Sequence, residues 1–344
     1  MSDVIQTNAL PTTMNVLAFM RSKMPTPDNK LSKEMLLTDW TLYWLEHLTP
    51  DIKSTTRSTY QSAVENHINR VFTGIKLTDL TSEDVQLFVM SMIEGVDLDD
   101  PLSPKSIRNI HGVLHGCLQT AYEMKLIPEN PAKHTNMPKI KKPEIIPMNT
   151  EQLEEFLIAI TGHPLEVLFK LAVLTGMRKG ELIGLTWDCF HFDDGFIRLY
   201  RQLSYNKTKR HYYFDSLKNG KPRTIYPPAA VMEMMKQYYR RKSSGNFVFP
   251  GTTGGEHLTH SQIRKPFERI IAKMDIPKFR FHDLRHTYAV LSLKAGVDLK
   301  TLSESMGHYS VAFTLDTYAF ALSDMKQESA RRLQSYLDEQ NFTI

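Results

Sequence analysis

The spacing of apolar residues changes along the chain, and these changes predict where its domains begin and end. Between residues 34 and 127 the apolar side chains recur at helical spacing. Helix start signals divide this stretch at Ser54 or Thr55, at Thr81 with Asp84, and at Ser103 with Pro104. The pattern predicts a small all-helical domain, which alone indicates no function. Residues 1–33 have weak periodicity and predict a loose N-terminal arm.

The helical period stops between residues 128 and 149. Five prolines and several lysines replace it there, the lysines being Lys133, Lys139, Lys141 and Lys142. Proline-rich chain is semi-stiff and extended, so we predict an interdomain linker. Its lysines suit it to lie along a phosphate backbone, although a merely solvated linker explains the composition nearly as well.

A second domain is predicted from residue 150 to residue 320, where helical and strand periods are mixed. Thr150 is expected to cap a helix, and Pro164 is expected to open another that ends at Gly176. Strand-like stretches follow at Phe196–Tyr200, Tyr212–Leu217 and Thr224–Tyr226, with Asn219-Gly220 as a two-residue hairpin signal. Helices then resume. The whole chain is therefore expected to be mainly α with a small antiparallel β-sheet, and residues 321–344 to form a tail helix that contacts a neighbouring protomer.

Composition narrows the class of protein. The chain has 344 residues, of which 41% are hydrophobic and 23% charged, and it contains no apolar run long enough to cross a membrane. No secretory signal is visible at the N-terminus. Cys117 and Cys189 are far apart and form neither a disulfide framework nor a zinc pattern. These features predict a globular protein of the reducing cytoplasm.

Positive charge is concentrated rather than large. The net charge is only +4, but the segment from residue 201 to residue 223 carries seven cations against Asp215 alone. The cations are Arg201, Lys207, Lys209, Arg210, Lys218, Lys221 and Arg223, interleaved with Tyr205, Tyr212 and Tyr213. A basic strip with aromatic residues is what a nucleic-acid backbone attracts, although a solvated, highly charged hairpin is the alternative.

Residues able to perform phosphoryl-transfer chemistry follow one another in the second half of the chain. They are Arg178 with Glu181 three residues later, the His282-Asp-Leu-Arg285 pair, His308 after Gly307, and Tyr318. Two guanidiniums can hold phosphate oxygens, imidazoles can move protons, and a phenol can act as nucleophile. Glu181 is expected to orient Arg178. Each residue taken alone has an ordinary structural explanation, so the argument rests on the whole set.

Two details of this set lead to expectations that geometry can test. Tyr318 lies one position from an apolar stripe of Val311, Leu315 and Ala319, so its hydroxyl is expected at the stripe's edge, within reach of solvent or DNA. His282, His286 and His308 could alternatively bind zinc. That alternative is disfavoured because the first histidine is not followed by glutamate and Arg285 would place a cation beside the metal.

Three segments together resemble the tyrosine recombinase family of phage and conjugative-transposon integrases and their Xer relatives. They are Thr175-Gly-Met-Arg-Lys-Gly-Glu-Leu, Phe281-His-Asp-Leu-Arg-His-Thr-Tyr-Ala, and Met306-Gly-His-Tyr-Ser followed by Thr314-Leu-Asp-Thr-Tyr-Ala. The resemblance covers roughly residues 34–318. It implies a helical, SAM-like core-binding domain and an α+β catalytic domain, which together form a C-shaped clamp around duplex DNA.

The resemblance also implies a role for each site residue. Arg178 and Arg285 would hold the scissile phosphate, His282 would act as acid–base partner, His308 would hydrogen-bond the phosphate, and Tyr318 would form a 3′-phosphotyrosine. Lys218 resembles the hairpin lysine that protonates the leaving 5′ oxygen, but Lys221 is too close to exclude from sequence. The other cations expected to contact DNA are Lys139, Lys141, Lys142, Lys207, Lys209, Arg210, Lys221 and Arg223.

The expected function is site-specific DNA recombination, without metal or nucleotide cofactor, for the integration or excision of a mobile element. A Xer-type resolvase of chromosome or plasmid multimers is the nearest alternative, and a non-catalytic architectural DNA-binding protein is the alternative of a different class. The expected partners are double-stranded recombination sites and three further copies of the chain in a tetramer on two sites. An accessory excision or DNA-bending factor is left open. About thirty residues precede the helical domain, too few for the arm-binding domain of many integrases.

Overall fold

The computed structural model describes residues 34–96, 100–141, 145–206, 209–241, 245–251, 255–276, 279–323 and 325–340. The expected N-terminal arm, Lys142 and Lys207 lie outside these residues. The described chain is mainly helical with small antiparallel sheets, as predicted. It divides after Lys141 into two compact units, a helical unit and a second, mixed unit. No helix among the described residues is long and apolar enough to cross a membrane.

The helical unit is a bundle around one apolar core. Its helices are α1 (Leu37–His47), α2 (Ser54–Ala63), a π-helical turn (Val64–Ile68), α3 (Asn69–Val71), α4 (Ser82–Glu94) and α5 (Pro104–Glu123). Thr81 and Asp84 form the predicted capping box of α4, and Ser103 caps α5 as predicted. The prediction for α2 is wrong by one or two positions, because Ser54 is its first residue and Lys53 its N-cap.

The two ends of the proline-rich segment are each buried, one in the core of the helical unit and the other in the core of the second unit. Leu126, Ile127 and Ala132 are buried in the core of the helical unit, and the amide of Asn130 donates to the carbonyl of His115 at 3.1 Å. At the other end, Met148 is buried in the core of the second unit. The exposed cations Lys139 and Lys141 lie between these anchored ends.

The second unit begins with three helices, α6 (Thr150–Ala159), α7 (Glu166–Thr175) and α8 (Lys179–Ile183). Asn149, not Thr150, caps α6, because the Asn149 side chain accepts the hydrogen bond from the Gln152 amide at 2.8 Å. α7 begins two residues after Pro164 and ends, as predicted, at Gly176 in the left-handed conformation. A β-carbon at Gly176 would lie 2.3 Å from the Tyr288 ring, so only glycine fits there.

Five short strands form two separate antiparallel sheets. After a 3-10 turn (Trp187–Cys189) come β1 (Phe190–His191), β2 (Phe196–Leu199), β3 (Arg201–Asn206), β4 (His211–Ser216) and β5 (Arg223–Ile225). One sheet has the order β1-β2-β5, and the other is the β3–β4 hairpin, in register from Arg201 opposite Ser216 to Asn206 opposite His211.

The prediction of a two-residue hairpin at Asn219-Gly220 is wrong. β4 pairs with β3 and β5 pairs with β2, so the segment between β4 and β5 crosses from one sheet to the other. It does contain a turn, in which the Gly220 amide donates to the Leu217 carbonyl at 2.8 Å. Strand β3 was not predicted because its sequence, Arg-Gln-Leu-Ser-Tyr-Asn, has too few apolar residues to show alternation.

The remaining helices are α9 (Ala229–Arg241), α10 (His260–Ile271), α11 (Asp283–Lys294), α12 (Leu299–Met306), α13 (Val311–Ser323) and α14 (Met325–Glu339). α10 and α7 share an aromatic core in which Phe169 lies 5.8 Å from Phe267. α11, α12 and α13 enclose a smaller core that includes Ala289, Leu302 and Tyr318.

Each unit holds one buried cysteine, Cys117 or Cys189, and burial raises the pKa of both thiols.

Candidate active site

Arg178 is positioned by the turn between α7 and α8. The chain turns at Gly176, and Arg178 becomes the N-cap of α8. Its backbone amide and one guanidinium nitrogen both donate to Glu181, at 2.7 and 2.9 Å, and its other terminal nitrogen donates to the Gly307 carbonyl at 2.6 Å. The expectation that Glu181 orients this guanidinium therefore agrees with the geometry.

Glu181 also holds a second arginine, which the sequence did not lead us to expect. The two terminal nitrogens of Arg223 each donate a hydrogen bond to one Glu181 oxygen at 2.7 Å, and its Nε donates to the Ser305 carbonyl at 2.8 Å. Glu181 itself has no exposed surface. Burial acts to raise the pKa of its carboxyl, but the hydrogen bonds and charge of Arg223 and the charge of Arg178 lower that pKa to about 2.

The prediction that Arg223 contacts DNA is therefore corrected. Its side chain is only 8% exposed and is engaged by Glu181 and Ser305. β5 pairs with β2 in the three-stranded sheet and Arg223 points into the unit, whereas Lys209, Arg210, Lys218 and Lys221 are exposed. Arg223 also requires glycine at position 307, where a β-carbon would lie 2.9 Å from its side chain and the backbone is left-handed.

Arg285 is buried with no carboxylate of its own. It lies on the first turn of α11, is 3% exposed, and donates to the carbonyls of Gly176, at 2.7 Å, and Met306. Burial and the neighbouring guanidinium of Arg178 lower its pKa to about 9, which still leaves it charged at neutral pH. Among the described residues, three guanidiniums thus share the one carboxylate of Glu181. A buried surplus of positive charge is costly, and a bound anion would balance it.

Three imidazoles and the Tyr318 phenol lie beside these guanidiniums. Burial is the main cause that lowers the pKa of His282 to about 4 and that of His308 to about 3, with smaller contributions from the neighbouring histidine and arginines. Nδ1 of His308 shares a hydrogen bond with the Thr314 hydroxyl at 2.7 Å. The ring of His308 stacks on that of Tyr318 with centroids 6.4 Å apart.

The expected position of Tyr318 at the edge of an apolar stripe is wrong. Tyr318 is 1% exposed, whereas Val311 and Leu315 of the supposed buried stripe are 40% and 42% exposed. α13 turns its Thr314 and Tyr318 face inward, and the backbone leaves the helical region at Tyr318 itself, with φ −120° and ψ 15°. The hydroxyl shares a hydrogen bond with Nδ1 of His286 at 2.9 Å, and burial raises its pKa to about 12.

The crossing turn after β4 is held against the same site. The side-chain amide of Asn219 donates to the Gly307 carbonyl at 2.7 Å, the oxygen that also accepts from Arg178. Lys218 and Lys221 flank Asn219 and are both exposed. The structure thus brings the turn to the site without distinguishing the two lysines. Lys209 and Arg210 are exposed at the tip of the β3–β4 hairpin.

Three residues of the site were missed in the sequence or given another role. His286 was considered only as a metal ligand, although it stands four residues from His282 and so shares its helix face. Asn219 was interpreted as a turn former, and Gly307 as a residue that allows close approach. In the described part of the chain, no three His, Cys, Asp or Glu side chains are grouped as metal ligands.

Comparisons with known proteins agree with this arrangement. Residues 147–324 match the phage integrase family, and residues 36–93 match the N-terminal SAM-like domain of phage integrases. The chain therefore belongs to the phage integrase family, the tyrosine recombinases, which are enzymes that act through a tyrosine nucleophile. The helical unit contains the SAM-like match, and the second unit contains the family's catalytic match.

The relatives include both Xer-type proteins and integrases. A XerC-like tyrosine recombinase of Caldanaerobacter subterraneus is 26% identical, covering 88% of this chain and 83% of its own. The integrase of Mycobacterium phage L5 is 26% identical over 79% of this chain and 72% of its own, and the ICEBs1 integrase of Bacillus subtilis is 22% identical over 80% and 76%.

Solved structures share the fold. The Tn1549 transposon integrase in complex with circular-intermediate DNA has a TM-score of 0.75 and 23% identity, covering 87% of this chain and 99% of its own. A lambda integrase tetramer bound to a Holliday junction has a TM-score of 0.61 and 19% identity, covering 87% and 86%.

Proposed function

We propose that this chain is the site-specific recombinase of a mobile element, and that it cuts and rejoins double-stranded DNA through a 3′-phosphotyrosine at Tyr318. The observation that carries the proposal is the surplus of buried positive charge beside a buried tyrosine. A phosphodiester is an anion of matching charge, and in the same place it would meet donors, imidazoles and a nucleophile.

Arg178 and Arg285 are proposed to hold the two non-bridging oxygens of the scissile phosphate. Each guanidinium is fixed by protein carbonyls or by Glu181, so little side-chain entropy remains to be lost when DNA binds. His308 and His282 would be further donors. Because both are neutral at pH 7 without DNA, a bound phosphate would raise their pKa values and favour the charged, doubly donating form.

The chemistry conserves the energy of the phosphodiester bond. The Tyr318 oxygen would attack phosphorus as the bond to the 5′ oxygen breaks, and Lys218 or Lys221 on the turn held by Asn219 would protonate that leaving oxygen. Since the new phosphotyrosine bond replaces the old ester bond, a second DNA end can reverse the step without ATP.

The mobile-element role is supported by the phage L5 and ICEBs1 integrases among the relatives. The second candidate is a Xer-type resolvase, favoured by the XerC-like relative that covers 88% of the chain. Both roles use the same chemistry, in a cytoplasmic, nucleoid-associated protein. Sequencing the gene's flanks for element ends or a chromosomal dimer site would separate them.

Assembly is proposed to be a homotetramer on two DNA sites. Apolar side chains on α13 and α14 are exposed in the single chain, including Phe313 (52%), Leu333 (59%) and Tyr336 (58%), and a neighbouring protomer would cover them. Lambda integrase, which shares the fold of this chain, has been solved as a tetramer bound to a Holliday junction. A chain ending at Asp324 should still bind one site but lose cooperative assembly in native gels. Unchanged cooperativity would contradict this assignment of the tail.

The decisive experiment is capture of the covalent intermediate. Duplexes that bind the protein are first selected from a random-sequence library, and the selected duplex is then nicked near its centre so that the cut end diffuses away. We expect a DNA adduct on Tyr318 that is resistant to denaturing gels and absent in Tyr318→Phe. Tyr226→Phe, which changes a 73% exposed tyrosine just after β5, is the matched control and should cleave normally. An adduct that persists in Tyr318→Phe would mean that another residue is the nucleophile.

A further inference from the structure

His286 is the side chain that holds the reacting atom of Tyr318, and nothing in the proposed chemistry has yet used it. Its Nδ1 is 2.9 Å from the Tyr318 hydroxyl oxygen, and the two ring centroids are 5.7 Å apart. The residue lies on the first turns of α11, four residues after His282 and directly after Arg285. His282, the histidine with an acid–base role by resemblance, instead meets His286 edge to face at 5.4 Å.

The surroundings determine which partner donates in this hydrogen bond. Burial in the small core of α11, α12 and α13 raises the pKa of the phenol to about 12, so the phenol keeps its proton. Burial also lowers the pKa of His286, so its ring is neutral at pH 7 and can accept a hydrogen bond at Nδ1 when the proton is on Nε2. The phenol is therefore the donor. A buried, protonated phenol is a weak nucleophile, and its attack on phosphorus requires a proton acceptor at this distance.

We infer that His286 takes the hydroxyl proton of Tyr318 as the tyrosine attacks DNA, and returns it when the strand is rejoined. This inference rests on the proposed function, in which Tyr318 is the nucleophile. The O–H bond of Tyr318 breaks while its bond to phosphorus forms, and the proton moves to Nδ1 of His286. The bond from phosphorus to the 5′ oxygen breaks, and that oxygen takes its proton from a different acid, Lys218 or Lys221. In the reverse step the phenolate leaves phosphorus and recovers its proton from His286.

The charges around His286 fit a transient imidazolium. Asp283 raises the pKa of His286 from its own turn of the helix, whereas Arg285 and Arg280 lower it. His282 on the same helix, together with His308 and Tyr318 from the elements packed against it, completes the set of titratable neighbours. Burial is the largest cause of the lowered pKa that keeps the resting ring neutral, and the two guanidiniums add to it against Asp283. A phosphate bound at the arginines would shift this balance toward the proton at the moment of attack.

The sharpest test of His286 as proton acceptor uses a more acidic nucleophile, because a more acidic phenol loses its proton with less assistance from a base. His286→Ala is measured in single-turnover cleavage of the nicked duplex, first with tyrosine and then with a difluorotyrosine introduced at position 318. We expect His286→Ala to slow cleavage by about 10²-fold or more with tyrosine, because general base catalysis contributes that much. The more acidic fluorinated phenol should recover about tenfold or more of this loss, because attack then depends less on proton transfer. His282→Ala is the matched control, and its loss should be the same with both nucleophiles.

Two further variants separate proton transfer from positioning. His286→Gln can still hydrogen-bond the hydroxyl but cannot take its proton, so we expect its cleavage to be as slow as that of His286→Ala. If the alanine variant does not fold, the glutamine variant tests the inference in its place. A 5′-bridging phosphorothiolate, whose thiolate leaves without a proton, should rescue Lys218→Ala or Lys221→Ala but not His286→Ala.

Each outcome separates the inference from the proposed function. If the wild-type protein forms no adduct on Tyr318, the proposed function fails. If the wild type forms the adduct and His286→Ala cleaves within about threefold of it, or if glutamine restores the rate, or if difluorotyrosine gives no recovery, His286 is not the proton acceptor.

Discussion

The two units bury polar groups in opposite ways. In the helical unit the indoles of Trp40 and Trp44 donate to the Cys117 carbonyl and the Thr120 hydroxyl, at 3.1 and 3.0 Å, so these two buried polar groups are neutral and paired. In the second unit burial covers Arg285 beside Arg178 and Arg223, with Glu181 as their shared carboxylate. The helical core is complete without a ligand, whereas the site of the second unit has charge that an anion would balance. Substitutions should therefore cost stability in one unit and activity in the other.

The largest expected effect on stability is in the helical unit. Trp40→Ala removes a fully buried ring and leaves the Cys117 carbonyl without its indole donor, so the free energy of unfolding should fall by about 3–5 kcal/mol. Hydrogen exchange of α4 and α5 amides would measure the loss within that unit. Leu42→Ala, on the same helix but 47% exposed, should change it by less than about 0.5 kcal/mol. Similar losses for both variants would argue against the described core.

The next largest effect should be on the rate of DNA cleavage, with little change in stability. Arg285→Met should slow cleavage of the nicked duplex about 10²–10³-fold, the usual cost of losing one preorganised donor to a developing anion. The melting temperature should change little, because removing a buried charge that has no carboxylate partner offsets the loss of its hydrogen bonds to the Gly176 and Met306 carbonyls. Arg269→Met on the exposed face of α10 should change neither quantity. A marked fall in melting temperature for Arg285→Met would show that the contacts of this guanidinium within the protein outweigh the cost of burying its charge.

A smaller loss is expected at the crossing turn. Asn219→Ala removes one hydrogen bond to the Gly307 carbonyl, which is worth about 0.5–1.5 kcal/mol, and should slow cleavage roughly tenfold or less by loosening the turn that carries Lys218 and Lys221. Single-turnover rates at saturating protein would measure it. Asn206→Ala, at the far end of the hairpin, provides the comparison, and an equal loss there would contradict a specific role for the turn.

The effect with the smallest influence near neutral pH is a graded dependence of stability on pH. His282 and His308 have folded pKa values of about 4 and 3 against an ordinary value of 6.5, so below pH 6.5 the unfolded chain binds protons that the folded chain does not. Stability of the second unit should therefore fall as pH drops from about 6.5 toward 4. Calorimetry across this range would measure the slope, which should be shallower in His308→Gln. An unchanged slope in that variant would mean that His308 is not the source.

Local signals predicted the helices well and the site only in part. The capping box at Thr81 and the Ser103-Pro104 start are formed by neighbours in sequence, so the sequence contains everything they need. The pairing of β4 with β3 depends on a competition between strands, which the Asn219-Gly220 signal alone could not decide.

The same limit explains the errors at the site. Basic sequence neighbours group Arg223 with the exposed cations, whereas its contacts with Glu181 and Ser305, both distant in sequence, bury it. The face of α13 was misassigned because apolar spacing favours Val311 and Leu315, whereas packing selects Thr314 and Tyr318. The pairing of His286 with Tyr318 is not predicted because the two residues lie 32 positions apart in the sequence.

The pair of buried cysteines has a practical consequence. Cys117 lies in the helical unit and Cys189 in the second unit, and burial raises the pKa of both thiols. Both thiols should therefore resist alkylation as long as their units stay folded. Brief exposure to a thiol reagent followed by peptide mass spectrometry would time the opening of each unit separately in the unmodified protein. With DNA added, protection that increases at Cys189 more than at Cys117 would show that DNA stabilises the second unit more than the helical unit.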